Sequence, residues 1–376
     1  MNIPYGRQSI SWQDYIAVLK VLRSDYLTVG PMVDKFEKEL SALTMAKYVV
    51  AVSSGTAALH CAYNAISIND GHELITSPMT FVATASTALQ CGAKIVFGDI
   101  DLETGNLDSN IVESLVSEKT IAISTVDYAG QPGDLDSLNR IAKLNNLTLI
   151  EDAAHSIGTT YNGSEVGGLV DMTVFSFFPT KNITSGEGGA ILTNSLELYS
   201  RLKSFKMHGL VREPDHFYYK DVGPWHQEVH QLGLNYRMSE IHAALGLSQL
   251  KRIKEFKTKR EGIFNAYHAF LKDVEDIILP TKVSHINPMW HLFPIRVPQN
   301  KRKSLFNLLR SKGIIVQVNY LPVYLHPYFL ELGYKRGICP NAELFYETEI
   351  SLPMHVNLNM RQIERISNII IKFFNS

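Results

Sequence analysis

The chain is poor in cysteine, has no long apolar run and carries almost no net charge. Cys61, Cys91 and Cys339 lie far apart, which excludes a C-x-x-C redox pair and a zinc ribbon. No stretch reaches the ~18 consecutive apolar residues of a membrane span, and residues 1–7 lack the basic segment and apolar run of a signal peptide. Few cysteines without evident pairing are typical of a reducing compartment, so we expect a soluble, cytoplasmic protein.

The balance of charge excludes a further class of protein. Among 376 residues, 36 Lys and Arg stand against 37 Asp and Glu, a formal net charge of -1. Without a positive field that attracts phosphate backbones, we expect no dedicated nucleic-acid binder. Hydrophobic residues make up 45% and charged residues 19%, which indicates a globular chain with a large core rather than a disordered one. The length suggests two domains at a usual size of roughly 150 residues each.

Strand-like and helix-like segments alternate over much of the first half of the chain. The predicted strands are Tyr48–Val52, Leu74–Thr76, Lys94–Phe97, Ile121–Val126, Thr148–Ile150, Thr173–Phe177 and Ala190–Leu192. The predicted helices between them are Ala57–Ile66, Val82–Leu89, Ser109–Val116 and Asp134–Leu144. Because the strands are continuous apolar runs, the pattern predicts an α/β fold with a mainly parallel sheet sandwiched by helices.

The pattern of the sequence changes in the last third of the chain. Helical patterns cover residues 238–250, 251–272, 301–309, 342–348 and 360–374, and strand-like runs cover residues 291–297 and 314–318. The helix over 251–272 is charged and amphipathic, as a helix between two lobes would be. We therefore expect a large α/β domain over residues 1–250, then a linking helix and a smaller C-terminal α+β domain over residues 251–376.

The tripeptide Ser54-Gly55-Thr56 follows the first predicted strand and opens an alanine-rich helix. The first N–H groups of a helix are unpaired and lie at the positive end of its dipole. Glycine permits a ligand to approach closely, and the two hydroxyl groups add donors. The tripeptide is a candidate phosphate cradle, although on its own an N-cap is the more frequent explanation.

The segment Glu151-Asp152-Ala153-Ala154-His155 ends a predicted buried strand. Ligands of open α/β sheets bind at the carboxyl ends of the strands, so Asp152 is either a functional carboxylate or the cap of a helix. His155 either lies near a ligand or is a hydrogen-bonded structural histidine.

Lys181 follows the apolar segment 175–178 and precedes a glycine-rich turn at 185–189. Lysine is rarely buried without a purpose. Burial lowers the pKa of an amine, and a neutral amine is a nucleophile that can form a Schiff base. A single lysine is more often a solvated surface group, so Lys181 indicates a function only together with the candidate phosphate cradle and Asp152.

Together, the candidate cradle, Asp152 and Lys181 all follow strands of one predicted sheet. Pyridoxal phosphate needs these three partners, namely an anion site for its phosphate, an acid for its pyridine nitrogen and a lysine for its aldehyde. The residues by themselves establish an α/β cofactor enzyme, and their combination indicates pyridoxal phosphate.

Several segments, in this order along nearly the whole chain, resemble the DegT/DnrJ family of nucleotide-sugar aminotransferases. They are Ser54-Gly55-Thr56, Thr80-Phe81-Val82-Ala83-Thr84, Glu151-Asp152-Ala153-Ala154-His155, the Phe175-Ser176-Phe177 segment with Lys181, Glu187-Gly188-Gly189 and Asn235-Tyr236-Arg237-Met238. Within the family, residues 126–130 and 350–353 most resemble members that aminate C4 of a UDP-linked 4-keto-6-deoxy-N-acetyl sugar in pseudaminic acid synthesis, with L-glutamate as donor.

The resemblance implies a fold-type I pyridoxal-phosphate transferase that works as a homodimer, with its active site at the subunit interface. Lys181 would form the Schiff base and act as acid and base, Asp152 would pair with the pyridine nitrogen, and Phe81 would stack on the ring. The implied cofactor contacts are Ser54, Gly55, Thr56, Phe81, Asp152, Ser176, Lys181 and Asn235, the last across the interface. The implied sugar-nucleotide contacts are Tyr5, Asp25, Tyr26, Leu27, Thr28, Asn319, Tyr320, Leu321 and Pro322.

Other functions stay open at this stage. The chain could aminate a 4-amino-arabinose-type or 4-amino-GlcNAc-type precursor instead. A sugar dehydratase of the same superfamily would have histidine in place of Lys181, and a non-catalytic binding protein would not need to keep both the lysine and the carboxylate. His226 and His230 are four residues apart, but no third ligand is evident, so we expect no metal site. No nucleic-acid or membrane partner is expected.

Overall fold

The computed structural model describes residues 2–375. The strands are β1 (Tyr48–Val52), β2 (Glu73–Thr76), β3 (Lys94–Phe97), β4 (Thr120–Val126), β5 (Thr148–Asp152), β6 (Thr160–Tyr161), β7 (Ser164–Glu165), β8 (Met172–Ser176), β9 (Gly189–Thr193), β10 (Leu210–Val211), β11 (Glu228–Val229), β12 (Ile286–Asn287), β13 (Phe293–Arg296) and β14 (Glu349–Leu352). The α-helices are α1 (Trp12–Leu22), α2 (Pro31–Thr44), α3 (Gly55–Ala65), α4 (Ala83–Gln90), α5 (Ser109–Leu115), α6 (Leu135–Leu144), α7 (Leu196–Phe205), α8 (Glu240–Leu250), α9 (Ile253–Leu271), α10 (Gln299–Ser311), α11 (Pro327–Glu331), α12 (Pro340–Thr348) and α13 (Met360–Phe374).

The central sheet of the described chain has seven strands in the order β1-β9-β8-β5-β4-β2-β3. From β8 to β3 the neighbours run parallel, and β9 runs antiparallel to β8 and β1. The expected mainly parallel sheet is therefore confirmed. Because β9 reverses direction between them, β1 and β8 run the same way as β5. The carboxyl ends of these three strands consequently meet at one edge of the sheet.

Both faces of the sheet are buried. Val50 and Val52 of β1 belong to the apolar cluster that includes residues of α3 and α4, whereas Val49 and Ala51 belong to the cluster that includes residues of α2 and α8. Burial on both sides is the reason why the strands are continuous apolar runs rather than alternating ones.

The predicted strands of the sheet are confirmed, with ends displaced by at most two residues. The expected strand over 314–318 does not form as a continuous element. Ile314 makes an isolated bridge to Ile3, and Gln317 makes one to Ser351. Two different segments pair with the two ends of this run, so no single partner strand extends along it.

The C-terminal part of the chain contributes to two cores. Residues of α9, α10, α13, β13 and β14 form an apolar cluster that also takes in Ile3 from the other end of the chain. Tyr324, Phe329 and Phe345, in contrast, pack in the cluster of the large sheet, where Tyr324 and Phe329 contact Phe97. The domain boundary after residue 250 stays a proposal. No helix within residues 2–375 combines the length and the hydrophobicity that crossing a bilayer requires.

Candidate active site

A cavity of about 460 Å³ opens at the edge of the sheet where β1, β4, β5 and β8 end. Ligands of open α/β sheets bind at this edge, and the volume is within the usual range for a small-molecule site. Of the residues predicted for the site, the cavity is lined by Tyr5, Ser54, Gly55, Thr56, Phe81, Asp152, Ser176, Lys181, Asn319 and Tyr320. The others, Asp25, Tyr26, Leu27, Thr28, Asn235, Leu321 and Pro322, are not among its lining residues.

One corner of the cavity depends on the missing side chain at Gly55. A Cβ atom there would lie 2.8 Å from Cβ and 3.0 Å from Oγ of Ser176, so only glycine lets the start of α3 approach β8 this closely. Ser54 Oγ accepts a hydrogen bond of 3.0 Å from the Ala57 N–H and caps the helix. The N–H groups of Gly55 and Thr56 belong to the first turn, which has no intrahelical acceptors. This corner can therefore hold an anion.

Asp152 is the last residue of β5 and is only 5% exposed. Its Oδ2 accepts a hydrogen bond of 2.7 Å from Thr84 Oγ1, and its Oδ1 accepts one of 3.2 Å from the Ala154 N–H. Burial raises the pKa of this carboxyl group more than these bonds and the charge of Lys181 lower it. The ionised form thus lacks compensating positive charge, which a cationic group bound in the cavity would supply.

Lys181 lies in the loop after β8, mostly buried, and lines the same cavity as Asp152. Burial lowers the pKa of its amine to about 8, although the charge of Asp152 acts in the opposite direction. At neutral pH a much larger fraction of this amine is therefore uncharged than in a solvated lysine, and the uncharged amine is the nucleophilic form.

Three neighbouring rings, those of His155, His291 and Tyr320, line another part of the cavity. The rings of His155 and His291 lie 4.2 Å apart between centroids, and Tyr320 Oη is 3.3 Å from His155 Nε2. His291 Nδ1 contacts Asn182 Oδ1 at 3.2 Å. Burial, with the charge of Lys181 as a smaller contribution, holds the pKa of both histidines well below its usual range. Both rings are neutral at physiological pH.

Tyr5 and Asn319 come from opposite ends of the chain and meet at this cavity. Asn319 Nδ2 donates hydrogen bonds to Tyr5 Oη and to Ser351 Oγ, the latter at 3.0 Å, and the Asn319 N–H donates to Glu349 Oε2 at 2.8 Å. Burial raises the pKa of Glu349 to about 8. These bonds attach the segment that begins at Asn319 to β14. Leu321 and Pro322, which follow Tyr320, do not line the cavity.

Five of the predicted residues outside the cavity are exposed and lie in segments 25–28 and 235–239, which form a second surface. Thr28 forms an isolated bridge to Ser239, and the Glu240 N–H donates to the Leu27 carbonyl at 3.0 Å. The buried carboxylate of Glu240 in turn accepts the N–H groups that open α2, among them that of Gly30 at 3.1 Å. Segments 25–28 and 235–239 are thus neighbours, although the sequence separates them by more than 200 residues.

His226 and His230 contact a carboxylate rather than a metal-ligand set. Their Nε2 atoms lie 2.9 and 2.6 Å from Glu228, whose carboxylate also accepts the N–H groups of Tyr218 and Tyr219. Burial raises the pKa of Glu228, but the hydrogen bond from His230 and the other donors outweigh it and lower the pKa to about 2. Within residues 2–375, no three His, Cys, Asp or Glu side chains are grouped as a metal site requires.

Sequence reasoning assigned no role to two of the residues that shape the site. Thr84 donates to Asp152, and its Oγ1 also lies 2.7 Å from Thr80 Oγ1. Thr84 lies in the first turn of α4, whereas Thr80 precedes the helix, so helical spacing could not indicate their contact. His291 was not separable from an ordinary core residue, because its contact with His155 joins parts of the chain that are far apart.

The residues of the cavity fit pyridoxal phosphate. The Gly55 corner, which a Cβ atom would fill, offers unpaired N–H groups for a phosphate. Asp152 can receive a protonated ring nitrogen, and Lys181 carries an amine of lowered pKa in the same space. Phe81 borders the cavity with 60% of its surface exposed, so its ring is available to a planar ligand.

Comparisons with known proteins agree with this geometry. Residues 9–371 match the DegT/DnrJ/EryC1/StrS aminotransferase family. The chain is 36% identical, over 97% of its own length and 96% of the relative, to the UDP-4-amino-4,6-dideoxy-N-acetyl-beta-L-altrosamine transaminase of Campylobacter jejuni. Helicobacter pylori PseC, an aminotransferase of pseudoaminic acid biosynthesis, superposes with a TM-score of 0.94 at 34% identity and full coverage of both chains.

A second solved structure bears on the cofactor. Spr1654 of Streptococcus pneumoniae, described as a sugar aminotransferase and solved in its PLP form, superposes with a TM-score of 0.92 at 28% identity, over 100% of this chain and 99% of that one. Family, cofactor and cavity chemistry agree. The chain therefore belongs to the DegT/DnrJ/EryC1/StrS aminotransferase family and is a pyridoxal-phosphate-dependent aminotransferase.

Proposed function

We propose that the chain transfers the amino group of L-glutamate to C4 of a UDP-linked 4-keto-6-deoxy-N-acetyl sugar. The products are 2-oxoglutarate and UDP-4-amino-4,6-dideoxy-N-acetyl-β-L-altrosamine. Nitrogen replaces the keto oxygen of the sugar, and the keto oxygen of 2-oxoglutarate replaces the nitrogen of glutamate, so no external oxidant is needed. The observation that carries the proposal is the full-length similarity to the Campylobacter transaminase, together with a cavity that holds a buried amine opposite a buried carboxylate.

Each part of the cavity has a proposed task. The N–H groups of Gly55 and Thr56, with the hydroxyl groups of Ser54 and Ser176, hold the cofactor phosphate. Asp152 holds the ring nitrogen in its protonated state. Phe81 packs on one face of the ring.

The bound cofactor supplies an electron sink for the pair of electrons left when a substrate carbon loses its proton. Lys181 anchors the cofactor covalently, and its freed amine moves the proton that leaves the amino-acid α-carbon. The lowered pKa of this amine suits both tasks, because it can accept and return a proton near neutral pH. The neutral rings of His155 and His291 exclude water from this wall of the cavity.

We propose that the working unit is a homodimer, in which the second surface of one copy completes the cavity of the other. Asn235 would reach the phosphate, and residues 25–28 would contact the sugar nucleotide together with Tyr5 and residues 319–322. Tyr26 and Leu27 are 55% and 51% exposed, and Tyr26 lines a groove with residues of α1 and α8. Such exposed apolar surface is typical of a protein interface.

We also propose that the reaction takes place in the cytoplasm. Cys61, Cys91 and Cys339 are all free thiols, as in proteins of a reducing compartment.

A panel of UDP-4-keto sugars tests the reaction. Purified protein with pyridoxal phosphate and L-glutamate should aminate the 4-keto-6-deoxy-N-acetyl sugar of the altrosamine series fastest, with 2-oxoglutarate formed in equal amount. NMR of the product gives the configuration at C4, and mass spectrometry separates amination from loss of water. Faster amination of an arabinose-type or GlcNAc-type precursor would overturn the substrate assignment, and a dehydrated product would overturn the reaction.

Hybrid dimers test the shared site. Chains with Lys181→Ala and chains with Asn235→Ala, co-expressed under different affinity tags, form hybrids with one fully intact site if Asn235 serves the partner's cavity. Their activity should exceed that of either parent. The matched control pairs Lys181→Ala with Asp152→Asn, two changes in the same cavity, and should recover nothing. Equal behaviour of the two hybrids, or a monomer by light scattering, would contradict the shared site.

A further inference from the structure

Three carboxyl groups lie together where β4 and β5 end. Thr125 and Val126 pair in register with Glu151 and Asp152, and the Asp127 N–H donates to the Asp152 carbonyl at 3.1 Å. Asp127, Glu151 and Asp152 are all buried, the first two completely. Asp152 lines the cavity, whereas Asp127 and Glu151 are not among its lining residues.

Asp127 and Glu151 are each half satisfied. Ser156 Oγ donates to Asp127 Oδ2, and Thr173 Oγ1 donates to Glu151 Oε2 at 2.9 Å. The remaining oxygens, Asp127 Oδ1 and Glu151 Oε1, are buried and receive no hydrogen bond from any residue between 2 and 375. Two neighbouring buried acceptors without a donor are costly, because each loses its hydration without replacement.

A proton between the two groups removes this cost. The two side chains are within hydrogen-bonding reach of each other. A protonated carboxyl group has one O–H donor, so one proton held between them satisfies both groups and reduces the charge of the pair from two to one. Burial raises the pKa of both groups, and the charge of Glu151 raises that of Asp127 further. The same reasoning applies to carboxyl pairs that share a site, which do not both ionise.

We propose that Asp127 and Glu151 share one proton and act as positioning residues behind Asp152, with a fixed single negative charge. This charge favours the protonated state of the cofactor ring nitrogen that Asp152 binds, and a second charge would compete with ionisation of Asp152 itself. This part rests on the proposed role of Asp152, whereas the shared proton stands on the geometry of the pair alone.

Infrared spectra of the holoenzyme test the shared proton. At neutral pH, the difference spectrum between wild type and Asp127→Asn should show the loss of one carbonyl band of a protonated carboxyl group. In the variant, the amide N–H donates to Glu151 in place of the shared proton, and Glu151 is therefore ionised. The Glu349→Gln difference gives a separate reference band, because burial also raises the pKa of Glu349. If Asp127→Asn still shows this band, the shared proton is overturned, whatever the activity of the variant.

Amide variants test the role of the charge. Asp127→Asn and Glu151→Gln each keep the hydrogen bond and one negative charge, so each should retain the affinity for pyridoxal phosphate and the pH dependence of its absorbance. The double variant keeps the shape and loses the charge. We expect its dissociation constant for the cofactor to rise about tenfold, the effect of one pKa unit on the ring nitrogen.

The thermal midpoint of each variant separates this effect from misfolding. If the double variant keeps wild-type affinity, the charge has no role and the positioning part is overturned. If a single amide variant loses as much affinity as the double variant while still folded, the pair does not act through one shared charge, and the proposal is equally overturned. Because the infrared test needs no turnover, failure of the proposed reaction would leave it intact.

Discussion

Asp152 and Glu228 are two carboxylates of this chain that are hardly exposed, and their pKa values are shifted in opposite directions. Asp152, at the edge of the sheet, accepts two hydrogen bonds, and burial raises its pKa. Glu228, in the hairpin of β10 and β11, accepts four, and its pKa falls to about 2. The residues of the hairpin supply hydrogen bonds to Glu228, whereas the residues around Asp152 do not fully compensate its negative charge.

This difference separates a structural carboxylate from a functional one. A carboxylate whose oxygens already accept hydrogen bonds from within the fold has little left to offer a ligand, so we expect Glu228 to order the hairpin only. A carboxylate whose negative charge is not fully compensated by the fold binds a cation well, and a protonated pyridine nitrogen is such a cation. Substitutions in the cavity should therefore lower turnover or cofactor affinity, and substitutions in the hairpin should alter only its local order.

The largest effect is expected from Lys181→Ala. Loss of the amine that anchors the cofactor and moves the proton should lower turnover by about 10³-fold. Mass spectrometry after borohydride reduction should show no covalent cofactor. The matched control is Lys206→Ala, which removes another buried lysine, one that bonds Glu37 and the Ala51 carbonyl. This control should lower the thermal midpoint and still label. Labelled, active Lys181→Ala protein would show that the cofactor is not anchored at Lys181.

Asp152→Asn should follow. The amide keeps the size of the side chain but cannot balance a cationic ring nitrogen, so kcat should fall by about 10²-fold while the fold is retained. Steady-state kinetics measures kcat, circular dichroism checks the fold, and the pH dependence of the cofactor absorbance reports the protonation of the ring. A variant with normal turnover would mean that the under-compensated charge of Asp152 is not used.

Thr84→Val tests the hydrogen bond that Asp152 accepts within the cavity. It removes the hydroxyl donor to Asp152 with little change of volume and raises the pKa of that carboxyl group further. Hydrogen bonds to charged groups contribute about 1.5–3 kcal/mol, so the affinity for pyridoxal phosphate should fall at least about tenfold. Thr87→Val on the same helix removes a buried hydroxyl that bonds the Ala83 carbonyl instead, and it should leave this affinity unchanged. Equal losses in both variants would contradict a specific role of Thr84.

The smallest effect is expected from Glu228→Gln. Its depressed pKa means that Glu228 stabilises the hairpin above its ordinary pKa near 4.5 and loses this contribution as the pH falls towards 2. At neutral pH the variant should exchange the amide protons of Tyr218 and Tyr219 about tenfold faster, and it should match wild type only once the pH has fallen to about 2. Turnover should stay within about twofold. A collapse of turnover would show that the hairpin takes part in the chemistry.

Much of the fold could be read from residue patterns. The strands around residues 48–52 and 148–152 were predicted because both faces of such strands are buried, which demands unbroken apolar runs. The run over 314–318 has the same apolar character and forms only two bridges. Its partners come from different parts of the chain, and local patterns do not encode the identity of a partner.

The candidate site divides in the same way. Ser54, Asp152 and Lys181 could be predicted because each lies at or after the carboxyl end of a strand of one sheet, and the carboxyl ends of parallel strands meet. The contact of Thr28 with Ser239 was not readable, because it joins segments far apart in the sequence. The division of the predicted residues into a cavity and a second surface also appeared only in three dimensions.

Apolar periodicity and the order of a few polar residues determined the α/β class, the edge of the sheet that carries the site and the three groups that pyridoxal phosphate needs. Tertiary structure alone decided the charge of those groups. Burial lowers the pKa of Lys181 to about 8 and raises that of Asp152, and it leaves Asp127 and Glu151 with one orphaned oxygen each. The reason is that desolvation and hydrogen bonding depend on which groups surround a side chain in space, and a linear pattern does not contain those neighbours.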